Sequence, residues 1–349
     1  MKAFLTGAGG FVGSHVLRHL LMETDWEIVC SVSFQHKGMP ERIASSTCGD
    51  DKWARRVTIV HWDMQAPAPM SLHAALEGCE VFMNVASESH VERSIEDPVG
   101  FTMNNTALIL NVLELVRRHK PKIFLQMSTD EVYGPAYGDH RHTEWETLAP
   151  SNPYSASKAA QEAICFSYWR TYGVPVVITN TMNIVGEMQD PEKFVPMTMS
   201  KIMRSVPVIV HCAPDGTPGS RFYLHARNLA DAWLYLARQV LDEKVDMVPY
   251  AGGARRPPRF HIVGDREINN LDLVGMIYEW MRLAGLQVRR PPEIEMESSH
   301  TLRPGHDLRY ALDGSKIADL GWRAPVSLED SMAKTVAWTL AHPEWLASA

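Results

Sequence analysis

Lys2-Ala3-Phe4-Leu5-Thr6-Gly7-Ala8-Gly9-Gly10-Phe11-Val12-Gly13-Ser14 starts with a short apolar strand that runs straight into a glycine-rich turn and an amphipathic helix. The glycines fall as Gly-x-x-Gly-x-x-Gly, at Gly7, Gly10 and Gly13. Without a Cβ the backbone can turn sharply and lie close to a pyrophosphate, and the helix N-terminus behind it offers free N–H groups and a favourable dipole. A glycine-rich turn alone is weak evidence. Between an N-terminal strand and a helix it marks the first unit of a dinucleotide-binding fold. The contacts expected from this loop are Gly7, Gly10, Phe11, Val12 and Gly13.

Outward from this unit, short apolar runs alternate with helical patterns, as in a parallel sheet covered on both faces. Strands are expected at residues 2–5, 27–32, 57–61, 81–85, 122–127 and 175–179, and helices at 14–22, 71–76, 102–118 and 155–172. Within residues 102–118, Leu108, Val112, Leu115 and Val116 recur close to the 3.6-residue period. Beyond Gly186 the pattern loses regularity, broken by Pro191, Pro196, Pro207, Pro214 and Pro218. Helices are still expected at 228–240, 271–284 and 328–340. Residues 244–259, rich in Gly, Pro and Arg, read as a surface excursion. The expected fold class is α/β, a Rossmann-type doubly wound parallel sheet with a smaller C-terminal α+β substrate domain. Residues 1–182 would bind the dinucleotide, with 222–245 packing back on them, and 183–349 would mainly hold the substrate.

At 349 residues with a net charge of -7, the chain has no electrostatic footprint for nucleic acid. Its five cysteines, Cys30, Cys48, Cys79, Cys165 and Cys212, are scattered and odd in number. That fits reduced thiols in a cytoplasmic protein. His140-Arg141-His142 reads as a solvated loop, because no Cys or carboxylate spacing completes a metal site. No signal peptide is expected ahead of the first strand. No apolar run approaches the roughly 20 residues of a membrane helix.

The second strand of a dinucleotide fold normally ends on an acid that binds the adenosine ribose. Here Ile28-Val29-Cys30-Ser31-Val32-Ser33-Phe34-Gln35-His36-Lys37 holds no carboxylate. Ser31 or Ser33 can bond a ribose hydroxyl, and His36, Lys37 or Arg42 can meet a 2′-phosphate, so NAD and NADP both stay open. Asp63 is the expected adenine contact. Met64 and Ala86 complete the cofactor set.

Met127-Ser128-Thr129-Asp130-Glu131-Val132-Tyr133-Gly134 places a hydroxyl and two carboxylates directly after an apolar strand. Adjacent carboxylates in a cleft are pushed to different pKa values, one remaining an acid while the other serves as base. Side chains alternate along a strand, so both reach a substrate only if the chain turns after Ser128. Tyr154 and Lys158 lie one helical turn apart. A cation beside the phenol would favour its phenolate as a base near neutral pH.

Together these motifs resemble the extended short-chain dehydrogenase/reductase family, and within it the nucleotide-sugar 4,6-dehydratases typified by dTDP-glucose 4,6-dehydratase. The resemblance spans most of the chain. It rests on the glycine loop, on Ala86-Ser87-Glu88-Ser89-His90-Val91-Glu92-Arg93-Ser94-Ile95, on residues 128–134, and on Pro150-Ser151-Asn152-Pro153-Tyr154-Ser155-Ala156-Ser157-Lys158-Ala159-Ala160. Pro191-Glu192-Lys193, Arg221 and Arg303-Pro304-Gly305-His306-Asp307-Leu308-Arg309-Tyr310 add to it. The Thr-Asp-Glu triplet discriminates, since related epimerases and decarboxylases usually lack the adjacent Asp-Glu pair.

The resemblance implies a sequence of steps. Tyr154 removes the C4 hydroxyl proton as hydride passes to bound NAD, Glu131 takes the C5 hydrogen, and Asp130 protonates the departing C6 hydroxyl. Hydride then returns to C6, giving a 4-keto-6-deoxy sugar. Thr129 would hold the C4 oxygen, Lys158 would tune Tyr154 and bind the nicotinamide ribose, and Tyr154 and Lys158 would join the cofactor contacts. Ser89, His90, Asn183, Lys193, Arg221, Arg303 and His306 are the implied contacts to an NDP-hexose, and a homodimer is implied. The chain departs from the family at Asn183-Ile184-Val185-Gly186-Glu187, where a second Asn and a Gly-Pro pair are usual, and at 211–219 and 244–259, which look longer. These departures leave the nucleotide base open. An epimerase or decarboxylase of the same family, or a silent dinucleotide-binding regulator, are the rival readings.

Overall fold

The computed structural model of the protein describes residues 1–35, 37–247, 256–287, 290–298 and 307–347. In chain order the first half forms β1 (Lys2–Thr6), α1 (Phe11–Glu23), β2 (Glu27–Val32), α2 (Pro40–Thr47), α3 (Asp51–Ala54), β3 (Val57–His61), α4 (Met70–Ala75) and β4 (Val81–Asn84). It continues through α5 (Val91–Glu96), α6 (Pro98–His119), β5 (Ile123–Thr129), a 3₁₀ turn (Asp130–Tyr133), α7 (Pro153–Tyr172) and β6 (Val176–Thr181). The second half adds β7 (Asn183–Val185), α8 (Phe194–Arg204), β8 (Val208–Cys212), β9 (Ser220–His225), α9 (Ala226–Leu241) and β10 (Arg259–Ile262). After these come β11 (Glu267–Asn269), α10 (Asn270–Leu283), β12 (Ile294–Ser298), α11 (Ser315–Asp319) and α12 (Leu328–Ala341).

Seven parallel strands form one sheet in the order β10-β6-β5-β4-β1-β2-β3. Alternate side chains of each strand feed two separate cores, as the two-residue period requires. Ala3, Leu5, Ile28, Cys30, Val81 and Met83 pack under α1 and α9, against Leu17, Leu20, Trp233 and Leu236. Phe4, Val29, Phe82 and Phe124 pack under α6 and α7, against Ile109, Val112, Leu113 and Trp169. Fully burying one such side chain stabilises the fold by about 1.5–3 kcal/mol. Strand order reverses between β1 and β4, and in open α/β sheets the crevice at such a reversal takes the ligand.

The helix ends follow local chemistry. Asn152 caps α7 through a reciprocal pair with Ser155, Pro153 occupies its first turn, and the helix stops at Gly173 with φ +66°. Asp97 accepts from Gly100 N–H at 2.9 Å and starts α6 four residues before the expected position. At 22 residues, α6 is the one described helix long and apolar enough to cross a membrane by length and composition, contrary to the expected absence of such a run. Its Leu108, Ile109, Val112, Leu113 and Val116 lie in the core.

Two further expectations change. Residues 244–259 are not wholly a surface excursion. Residues 248–255 lie outside the described residues, but Arg259 opens β10, a seventh sheet strand paired with β6 from Arg259↔Ile178 to Ile262↔Thr181. Pro196 does not break structure. It sits in the first turn of α8, where a missing N–H costs nothing. The remaining elements form a three-stranded sheet, β11-β9-β7, and a two-stranded one, β12-β8. A third core joins α8, α10 and α12 through Met199, Ile277, Met281, Met332 and Val336.

Candidate active site

A cavity of about 280 Å³ opens at the carboxyl ends of the parallel strands. Every residue expected to touch the dinucleotide lines it: Gly7, Gly10, Phe11, Val12, Gly13, Ser33, Asp63, Met64, Ala86, Tyr154 and Lys158. The glycines are needed for packing as well as for ligand approach. A Cβ on Gly13 would fall 2.0 Å from the Gly7 carbonyl oxygen, and Gly7, at φ +69°, lies 3.0 Å from Ala86 N on the same measure. No side chain caps α1 and its first turn holds no acid, so its leading amides remain available to an anion. A dinucleotide pyrophosphate fits this lining by chemistry.

Lys158 is buried, and a chain of amides beneath the strand ends fixes its ammonium. It donates to Met127 O and to Gln161 Oε1, both at 2.8 Å. Gln161 also accepts from Gln126 Nε2 and donates to Asn105 O at 2.8 Å. Gln126 accepts from Asn84 Nδ2 at 2.8 Å, and Asn84 accepts from Thr6 Oγ1 at 2.6 Å. Burial lowers the Lys158 pKa to about 8, with Glu162 partly opposing.

The carboxylate turn sits next to this network on different terms. β5 runs to Thr129, two residues past the expected end, and the 3₁₀ turn then swings Asp130 and Glu131 out of strand alternation. Thr129 Oγ1 donates to Asp130 Oδ1 at 2.9 Å, and Asn152 Nδ2 donates to Glu131 Oε2 at 3.2 Å. Asp130 is 4% exposed, and burial followed by repulsion from Glu131 raises its pKa to about 7. Burial also raises Glu131, against the Asn152 hydrogen bond and the charges of Arg221 and Lys193. Several buried oxygens here have no hydrogen-bond partner among the described residues: Ser128 Oγ, Asp130 Oδ2, Asn180 Oδ1, Thr181 Oγ1 and Tyr310 OH. Such a cluster suits a polyhydroxyl ligand.

Tyr154 departs from expectation. Burial, then the charges of Glu131 and Asp130, push its pKa up, while a hydrogen bond with Thr129 opposes them. The Lys158 ammonium is committed to Met127 and Gln161 instead of stabilising a phenolate.

The implied substrate contacts are placed unevenly. Ser89, His90 and Lys193 line the cavity. Asn183 is exposed at the start of β7 and does not line it. Arg221 is 5% exposed. Its guanidinium donates to the carbonyls of Ser220, Asp307 and Leu308, lies 4.7 Å from the Tyr310 ring centroid, and influences both carboxylates. Arg303 and His306 lie outside the described residues. At the ribose end, Ser31 is buried away from the cavity, and Arg42 is committed to Met188 O, Lys37 O and Asp190. His36 lies outside the described residues. Sequence reading missed Asn152, Gln161 and Glu192. The carboxylate thought absent near His140 and His142 is also present: Glu146 Oε2 meets His140 Nε2 at 2.9 Å and His142 Nδ1 at 2.7 Å. His142 Nε2 is buried with no partner among the described residues, whereas a metal-bound imidazole normally donates through its second nitrogen. His140, His142 and Glu146 thus meet in one imidazole–carboxylate cluster.

Residues 3–248 match the model of the NAD dependent epimerase/dehydratase family. The dTDP-glucose 4,6-dehydratase of Salmonella typhimurium is 30% identical over 366 aligned residues, covering 99% of this chain and 94% of the relative. The enzyme of that name from Neisseria meningitidis serogroup B is 33% identical over the same shares. Among solved structures, dTDP-glucose 4,6-dehydratase from Streptomyces venezuelae with NAD bound is similar at TM-score 0.81 and 30% identity, covering 99% and 98% of the two chains. A UDP-glucuronic acid 4-epimerase from Bacillus cereus reaches the same TM-score at 20% identity, so the backbone alone does not separate the two chemistries. With its glycine loop, its Tyr154/Lys158 pair and a family match over most of its length, the chain belongs to the NAD-dependent epimerase/dehydratase family.

Proposed function

We propose that the protein is an NAD-dependent nucleotide-hexose 4,6-dehydratase that converts an NDP-glucose to the NDP-4-keto-6-deoxy sugar. The carrying observation is the Asp130–Glu131 turn beside Tyr154. It is absent from the usual pattern of the epimerases, and its carboxylates are held at raised pKa. The relatives named above support the reading. A bound NAD, held by the glycine loop, Tyr154 and Lys158, would supply a hydride acceptor for C4 and a hydride donor for C6, with no net consumption.

The chain's own residues do the proton work. Tyr154 takes the C4 hydroxyl proton, with Thr129 as its hydrogen-bond partner. Its raised pKa makes phenolate costly while both carboxylates are charged. A neutral Asp130, favoured below about pH 7, reduces that cost. Glu131, steadied by Asn152, takes the C5 proton, Asp130 delivers its proton to the leaving C6 oxygen, and Glu131, after exchange with solvent, puts a proton back on C5 as C6 is reduced. Lys193 and Arg221 supply positive charge for the diphosphate end, together with Ser89 and His90.

We assign dinucleotide binding mainly to residues 1–182, with α9 packed on α1, and substrate binding mainly to 183–349. A homodimer through α6 and α7 fits the exposed Val99, Met103 and Leu110 on α6. A cytoplasmic setting fits five unpaired cysteines. Incubation with dTDP-, UDP-, GDP- and CDP-glucose, read by mass, tests the function. Loss of one water from one of them supports dehydration, and an isomer of unchanged mass would point to the epimerases.

A further inference from the structure

The ribose end of the cavity carries a second, unassigned preference. The acid that selects NAD by binding the ribose 2′-hydroxyl stands about 20 residues past the glycine loop. In this chain that place is Ser33, the residue after β2, on the cavity lining, where its hydroxyl accepts from Gln35 N–H at 3.3 Å and keeps its own proton to donate. The following loop folds back on the glycine loop, with Met39 N–H donating to Gly9 O at 2.8 Å and Gly38 N–H to Gln35 O at 3.0 Å. This brings Lys37 to the same lining, with its backbone carbonyl held by Arg42 at 2.6 Å. Lys37 Nζ lies 3.2 Å from Glu192, but that carboxylate also has Arg93 at 3.6 Å. Lys37 can thus turn to an incoming anion without leaving Glu192 unpaired. The other lining carboxylate on that segment, Asp190, is held by Arg42 at 3.2 Å.

We propose that Ser33 and Lys37 form a ribose subsite that admits a 2′-phosphate, so the protein binds NADP as readily as NAD. The inference rests on the dinucleotide reading of the cavity. A carboxylate at Ser33 would repel the phosphate, while its hydroxyl accepts either ribose. Lys37 serves the phosphate as a point charge and contributes little to a free hydroxyl.

The test is competitive loading. The purified protein is equilibrated with equal NAD and NADP in excess, freed of unbound nucleotide and denatured, and the released dinucleotides are counted by mass. Both should be recovered, within about tenfold of each other, a window of about 1.4 kcal/mol. Ser33→Asp should shift the ratio toward NAD by about tenfold or more, and Lys37→Gln should shift it the same way by a similar factor, NAD filling the sites that NADP gives up. Recovery of NAD alone, or a Lys37→Gln ratio equal to wild type, would overturn the subsite while leaving the dinucleotide cavity intact. Recovery of neither nucleotide would overturn both.

Discussion

The dinucleotide cavity and the carboxylate turn lie at neighbouring strand ends and follow opposite rules. Around the cavity, polar groups are paired in advance: Thr6, Asn84, Gln126, Gln161 and Lys158 form one continuous hydrogen-bonded line. Around the turn, Asp130, Thr181 and Tyr310 each keep a buried oxygen with no partner among the described residues, as does Ser128 where the turn meets the cavity, and Asp130, Glu131 and Tyr154 are all driven toward their protonated forms. On the function proposed above, the paired region would hold the cofactor, and the unpaired region would receive a substrate that brings its own hydroxyls and exchanges protons. Leaving a buried polar atom unsatisfied costs about 1–3 kcal/mol, and binding a sugar there removes that cost.

The comparison can be broken in order of effect. Tyr154→Phe removes the only proposed base for the C4 hydroxyl. Product formation should fall by about 10²–10⁴-fold while the thermal midpoint holds, and a loss under tenfold would move the base elsewhere. Gln161→Leu strikes the paired region. It takes one of two acceptors from the buried Lys158, so denaturant unfolding should show a loss of about 1–3 kcal/mol. An unchanged midpoint would mean the amide line is not structural.

The turn should also show itself in pH. Asp130 has a folded pKa near 7, above its usual carboxylate value, so its protonated form is favoured on folding. Wild-type stability should decline as pH rises from about 4 to about 7. Asp130→Asn keeps an acceptor for Thr129 and removes the charge, so its melting temperature should match wild type near pH 4 and exceed it at pH 8. For the same reason, turnover that needs Asp130 as acid should decline on the alkaline side of about pH 7. A rate that climbs steadily through pH 8 would remove Asp130 from that role.

The dinucleotide cavity was legible in the sequence because its signals are local. The glycine loop, the six apolar runs and the Tyr154/Lys158 spacing each declare themselves within a few residues. β10 was not legible, because Arg259-Phe260-His261-Ile262 reads as half polar. It enters the sheet because Arg259 pairs with Glu162 and stacks on Trp145, and His261 bonds Tyr133, all distant in sequence. The roles of Asn152 and Gln161 were hidden likewise, since the bond to Glu131 and the bond to Lys158 are made by the fold and not announced by either residue's neighbours. The upward direction of the Tyr154 shift depended on where the Lys158 ammonium points, which spacing alone does not set.

The central claim is that Glu131 and Asp130 divide the elimination between them, and heavy water tests it most directly. With the nucleotide-glucose that the mass screen selects, wild type should yield a product lighter by one water and carrying a single deuterium at C5. Asp130→Asn should exchange the C5 hydrogen of recovered substrate with little loss of water, and Glu131→Gln should do neither. If both variants release water at near wild-type rate, the turn is structural and the account fails.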